Sequence, residues 1–131
     1  MSTAALTSII AVFFLAFFFI ALSNALDRSV RAAMEVGRIQ PITEVIDSKG
    51  QGARPGMYHR AIKLLWGAGH REMATDLIRL LAQHHAEELI AQYWLQQAMT
   101  VEPALARNRL GEDFLQTHFR PDLASQCGPA G

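Results

Sequence analysis

The chain has 131 residues, with twelve basic and twelve acidic side chains, and every one of these charges lies beyond Leu26. A balanced net charge gives no electrostatic footprint for DNA or RNA, so no nucleic-acid partner is expected. A single cysteine excludes both an intrachain disulfide and a Cys-x-x-Cys metal site. The composition therefore divides the chain into an uncharged N-terminal stretch and a polar remainder of ordinary proportions.

The N-terminal stretch, residues 4–26, contains no charged side chain. A helix of about 20 apolar residues spans the hydrocarbon core of a bilayer and pairs its own backbone polar groups. Ser23-Asn24-Ala25 resembles a signal cleavage site, but no Lys or Arg precedes the apolar run, which is longer than a signal peptide requires. The sequence therefore predicts a retained transmembrane anchor over residues 1–26, in contact with the lipid bilayer.

The charges that flank this segment predict its direction. No basic side chain precedes it, whereas Arg28, Arg31 and Arg38 follow it closely. The positive-inside rule then places the N-terminus outside and the C-terminal domain in the cytoplasm. The same three arginines are also candidates for contact with anionic lipid headgroups.

Beyond the anchor, the pattern of apolar residues predicts four segments. Residues 27–47 have helical spacing and are expected to form juxtamembrane helices. Residues 48–56 are rich in glycine and predict a flexible linker. Residues 57–120 are predicted to form the helical domain, and residues 121–131, which include Cys127, a disordered tail.

Within the helical domain, apolar side chains recur at helical spacing and no β alternation is present. A helix ends near Gly67-Ala-Gly69, and the pattern from 71 to 99 contains no Gly or Pro, so it fits either one helix or two with a turn near His84-His85. A last helix begins at Pro103 and ends before Pro121. The fold class expected is all-α, with one N-terminal transmembrane helix followed by a small antiparallel helical domain.

Part of this domain resembles a known repeat. Tyr58, Ala61 and Leu65 fit the first helix of a hairpin, and Gly69 fits its turn. Ala74, Ile78 and Leu81 fit the second helix. The segment 58–81 therefore resembles a single tetratricopeptide-type helical hairpin, although Ile62 and Ala86 depart from the pattern. The resemblance implies a groove that binds a protein partner rather than an active site.

The sequence offers no convincing catalytic set, so no enzymatic activity is predicted. It has no Gly-x-Ser-x-Gly elbow, no phosphate-binding loop and no His-Glu-x-x-His motif. Five histidines suggest one alternative, in which His84 and Glu88 share a helix face and His70 approaches them in the fold. The alternative function is a membrane-tethered metal- or haem-binding protein. The leading interpretation includes no cofactor.

We expect instead an interaction protein, an accessory or assembly subunit of a larger membrane protein complex. Its partners would be integral membrane subunits, which would contact the anchor and the helical domain. Large apolar side chains dominate such contacts. The predicted interface residues are Phe13, Phe14, Phe17, Phe18, Trp66, Met73, Tyr93 and Trp94.

Overall fold

A computed structural model describes residues 3–48 and 54–126 of the chain, without the side chains of residues 18–24. The described residues form an all-helical protein with a small helical domain, which confirms the all-α part of the predicted class. The helices are α1 (Thr3–Val36), α2 (Gln40–Ser48), α3 (Pro55–Gly67), α4 (Arg71–His85), α5 (Leu89–Val101), α6 (Pro103–Arg109), α7 (Glu112–His118) and α8 (Pro121–Gln126).

Helix α1 is one helix from the uncharged stretch into the folded body. At 1.5 Å per residue, its 34 residues reach about 50 Å. Every side chain of residues 3–17 is exposed, whereas Leu26, Val30 and Ala33 are buried. These three lie at spacings of four and three residues, so they share one face of the helix. The C-terminal part of α1 therefore belongs to the core, and the N-terminal part projects from it.

The predicted transmembrane segment, residues 4–26, is helical throughout as part of α1. The side chains of residues 18–24, which belong to this segment, lie outside the described residues. In the described part of the chain, no helix is both long enough and apolar enough to cross a membrane.

Helices α1 and α2 form the first hairpin of the body. Gly37 adopts a φ of +73°, and the N–H groups of Gly37 and Arg38 both donate to the Ala33 carbonyl oxygen, which ends α1. The left-handed conformation at this position favours glycine. Ile42 and Ile46 of α2 are fully buried in the same core as the later helices. The segment predicted as separate juxtamembrane helices is therefore packed into the domain.

Helices α3 and α4 form the second hairpin, as the sequence predicts. Gly69 provides the turn with a φ of +88°, and the His70 N–H donates to the Leu65 carbonyl oxygen at 2.9 Å. All six apolar positions named for the repeat-like hairpin are buried. Ile62, which departs from the repeat pattern, is also fully buried, because this position faces the core.

The long pattern from 71 to 99 is divided into α4 and α5. The turn comes directly after His85, where the Glu88 N–H donates to the His85 carbonyl oxygen at 3.0 Å. Glu88 is extended, with a ψ of 136°. No Gly or Pro marks this turn; the buried Gln92 side chain stabilises it from the next helix by donating to the Ala86 carbonyl oxygen.

The C-terminal region differs from the prediction at two places. Gly111, with a φ of +85°, divides the expected last helix into α6 and α7. Pro121 begins α8 instead of preceding a tail, because proline fits the first turn of a helix. Ala124 of α8 is buried, and α8 contacts α5. The rest of the predicted tail, with Cys127, lies outside the described residues.

The hairpins stack side by side. Helix α1 contacts α3, and α3 contacts α5, while α4 contacts α6. Asp27 pairs with Arg60 near the middle of α3, and Gly37 and Gly69, about ten residues further along each chain segment, line one cleft beyond the ends of the two helices. Helices α1 and α3 therefore run parallel, as equivalent helices do in stacked helical repeats.

Candidate interaction surfaces

The largest apolar surface is the exposed part of α1, residues 3–17, which we name the apolar arm. Phe13, Phe14 and Phe17 are each 72% exposed. Contiguous apolar surface of this kind marks a site that contacts lipid or another protein. The arm therefore contains three of the predicted interface phenylalanines, while the side chain of Phe18 lies outside the described residues.

The apolar arm has two different sides. At 3.6 residues per turn, its bulkiest side chains fall within about one third of the circumference. This bulky face comprises Leu6, Ile10, Phe13, Phe14 and Phe17. The opposite face comprises Ala5, Ser8, Ala11, Val12 and Leu15. A partner that packs against the arm would therefore contact either the bulky, aromatic face or the opposite face, which has smaller side chains.

The four predicted interface residues in the body fall into two classes. Met73 and Trp94 are buried in the core of this chain, so they are not accessible to a partner. Trp66 and Tyr93 are half-buried and pack at the edge of that core. Only these last two present apolar surface on the body as predicted.

Trp94 stands at the centre of an aromatic cluster between α3 and α5. Its ring lies 5.8 Å from that of Trp66 and 5.2 Å from that of Tyr93, centroid to centroid. The Arg71 guanidinium lies 4.9 Å from the Trp66 ring, a cation–π distance. Trp94 Nε1–H donates to His59 Nδ1 at 2.9 Å. The cluster therefore joins two parallel helices through both packing and a directed hydrogen bond.

The three arginines predicted to lie next to the membrane have different positions. Arg28 and Arg31 lie on α1 within two turns of Leu26, and both are exposed. Arg38 follows the end of α1, about 18 Å from Leu26 along the helix axis. It lines a cleft with Val36 and the start of α2. Arg28 and Arg31, but not Arg38, therefore lie close to the C-terminal end of the uncharged stretch.

A second cleft, of about 410 Å³, lies at the end of the body where Gly37 and Gly69 approach each other. Arg71 and Glu102 line it and form an ion pair at 2.8 Å. Glu72 also lines the cleft and pairs with Arg109 at 2.9 Å, so each of these charged side chains already has an opposite partner.

The histidines of the metal- or haem-binding alternative do not converge. His70 precedes α4 and His84 lies near its C-terminal end, about 21 Å away along the helix. One ion bound at about 2 Å from each ligand cannot bridge that distance. Glu88 lies in the turn after α4, on the side of His84. Among the described residues, no group of three or more His, Cys, Asp or Glu side chains is placed to hold a metal ion.

Sequence reasoning missed the pair formed by Asp27 and Arg60. Arg60 Nε and Nη2 donate to the two carboxylate oxygens of Asp27 at 3.0 and 2.9 Å. The hydrogen bond from Arg60 holds the pKa of Asp27 below its usual value. The two residues are 33 positions apart, so no local spacing could have indicated the contact.

Comparisons with protein-family models, with curated proteins and with solved structures find no match to this chain.

Proposed function

We propose that this protein is a single-pass membrane subunit that assists or assembles a larger membrane complex through protein–protein contacts. The observation that carries the proposal is the uninterrupted α1, which joins an apolar arm to a folded helical body. The arm exposes large apolar side chains on all sides, and the body has its own core. A molecule of this design needs lipid or a partner to cover the arm.

The proposed span depends on the uncharged run of residues 4–26 in the sequence. Exposing a large apolar side chain to water costs about 1.5–3 kcal/mol relative to burial. The arm contains many such side chains, and no described residue of the body covers them. A hydrocarbon environment removes this cost, and a helix satisfies its own backbone there.

The body supports the same proposal through its stacked hairpins. Such arrays bind partners along their continuous surfaces. Trp66 and Tyr93 present part of their rings at the edge of the core, where a partner can reach them. The proposed orientation keeps the N-terminus outside and the body in the cytoplasm, in line with Arg28 and Arg31 just after the uncharged stretch.

The proposal predicts that the bulky face of the arm holds the partner subunits. The variant Phe13→Ala with Phe17→Ala should remain in the membrane, because both substitutions keep the span free of charge. It should lose the larger assembly, because two aromatic anchors of the contact are removed. Cross-linking in the membrane, followed by mild detergent extraction and native size analysis, measures this loss.

The matched control is Val12→Ala with Leu15→Ala, which truncates two apolar side chains on the opposite face. It should keep the assembly. Two results contradict the proposal. One is extraction of the wild-type chain by alkaline carbonate, which removes proteins that do not span the bilayer. The other is a wild-type chain that is always an isolated monomer in mild detergent.

A further inference from the structure

The parallel packing of α1 and α3 creates a group of charges that neither helix has alone. Asp27 and Arg60 form the bidentate pair described above. Arg31 is one turn beyond Asp27 on α1, and Lys63 is one turn beyond Arg60 on α3. Because positions three or four apart share a helix face, Arg31 lies on the side of α1 that carries Asp27, and Lys63 lies on the side of α3 that carries Arg60. We name Arg31, Arg60 and Lys63, grouped around Asp27, the basic patch.

Two of the cations in the basic patch have no ion-pair partner within the described part of the chain. Arg31 and Lys63 are exposed, and neither makes an ion pair or a side-chain hydrogen bond within the described part of the chain. Both cations affect their neighbours: Arg31 contributes to the lowered pKa of Asp27, and Lys63 contributes to the lowered pKa of His59 after the larger effect of burial. Of the three cations of the patch, only Arg60 is paired with a carboxylate within the described part of the chain, and Glu35 lies one turn beyond Arg31 on α1.

The patch belongs to a chain whose charge is neutral overall but unevenly distributed. Residues 27–67 contain seven basic and four acidic side chains, whereas residues 68–131 contain five basic and eight acidic ones. The positive part is the one that directly follows the uncharged stretch of residues 4–26. The two parts of the chain therefore carry opposite charge, although the net charge of the whole chain is zero.

The patch also lies at the depth of lipid headgroups if the arm crosses the bilayer. Arg31 is five residues beyond Leu26, about 7.5 Å along α1. The polar zone of each leaflet is about 5–7.5 Å thick, so Arg31 lies at its outer edge. Arg60 contacts Asp27, so α3 lies at the same height.

We propose that the basic patch binds the phosphate of an anionic phospholipid headgroup. This inference rests on the proposed membrane function. Guanidinium and ammonium groups are the usual phosphate ligands in proteins. The Asp27 carboxylate orients Arg60 through two hydrogen bonds, while Arg31 and Lys63 supply the free donors. The cytoplasmic leaflet, which the orientation assigns to this patch, is the anionic one.

The test uses the full chain in vesicles of phosphatidylcholine and phosphatidylglycerol in equal amounts. Extraction with a lipid-retaining polymer and mass spectrometry of the lipids then measures the phosphatidylglycerol retained by the protein. The wild-type chain should be enriched in phosphatidylglycerol. Arg31→Gln with Lys63→Gln should lower the enrichment by about fivefold for each cation removed.

Two further variants make the result specific. Arg107→Gln with Arg120→Gln removes the same charge from exposed positions in the other part of the chain and should leave the enrichment unchanged. Asp27→Asn removes the only carboxylate of the patch and should raise the enrichment by about fivefold. A variant that merely disturbed the fold would not raise it.

The outcomes separate this inference from the proposed function. A chain that resists carbonate extraction but shows no preference for phosphatidylglycerol overturns the lipid site and leaves the membrane proposal intact. Equal loss in both double variants also overturns the site, since only net charge would then matter. A chain that carbonate removes from phosphatidylcholine vesicles overturns the membrane proposal itself.

Discussion

At the scale of single residues, His59 has an environment that depends on its protonation. Its Nδ1 accepts a hydrogen bond from Trp94 Nε1–H, which is possible only while that nitrogen carries no proton. Burial lowers the pKa of His59 from its usual 6.5, and Lys63 lowers it further. The fold therefore favours the neutral imidazole.

A lowered pKa for a base predicts how stability changes with pH. The unfolded chain binds a proton at His59 more readily, so the contribution of this residue is complete above about pH 6.5 and is lost as the pH falls through the lower, folded pKa. The loss is expected to be about 1 kcal/mol, the usual value of one hydrogen bond. Chemical denaturation of the chain in micelles at about pH 7.5 and about pH 5 measures it.

The variant His59→Asn isolates this effect, because an amide oxygen can accept the same bond and does not titrate in this range. Its free energy of unfolding should change less with pH than that of the wild-type chain. Parallel pH curves for the two proteins would show that His59 does not couple protonation to folding.

At the scale of helices, Gln92 determines how the ends of several elements meet. Its side chain is fully buried, and both the amide nitrogen and the amide oxygen form hydrogen bonds. Nε2 donates to the carbonyl oxygens of Ala86 at 2.6 Å and His118 at 2.9 Å, and Oε1 accepts from the Arg120 N–H at 2.7 Å. One amide on α5 therefore stabilises both the turn after α4 and the turn before α8.

The variant Gln92→Leu should destabilise the fold strongly. It keeps a similar volume but leaves three part-buried backbone groups without their side-chain partner, at about 1–3 kcal/mol each. We expect the free energy of unfolding to fall by at least about 3 kcal/mol, measured by denaturation followed by circular dichroism. Gln96→Leu, at an exposed position one turn later on α5, is the control and should change little. Similar effects of the two variants would contradict this role of Gln92.

At the scale of the whole molecule, the first hairpin and the later helices share one core. Leu26 and Ile46 belong to the same cluster of buried side chains as Leu65 and Leu81. The polar, glycine-rich segment before α3 therefore does not separate two independent units. The arm is thus continuous, through α1, with a body that has a single core.

The variant Ile46→Ala tests whether the first hairpin and the later helices unfold as one cooperative unit. Removing a fully buried isoleucine side chain should cost about 2–5 kcal/mol. Hydrogen exchange should then accelerate together in α2 and α4, because both belong to one cooperative unit. Faster exchange limited to α2 would show that the first hairpin opens independently of the body.

The sequence alone determined the features that depend on local pattern. Helical spacing and the absence of β alternation identify the all-helical class, and the glycines at 37 and 69 mark helix ends where a left-handed residue is needed. The buried positions of the α3–α4 hairpin also follow from spacing. The division of charge between the first 26 residues and the remainder can be read directly.

Only the tertiary structure decided which residues, distant from each other in the sequence, lie in contact. The turn after His85 depends on a buried amide from another helix, and Met73 and Trp94 are core residues because neighbouring helices cover them. The pairing of Asp27 with Arg60 arises from the parallel packing of α1 and α3. Contacts between distant residues carry no local periodicity, since they depend on which faces bury together, and so the sequence could not place them.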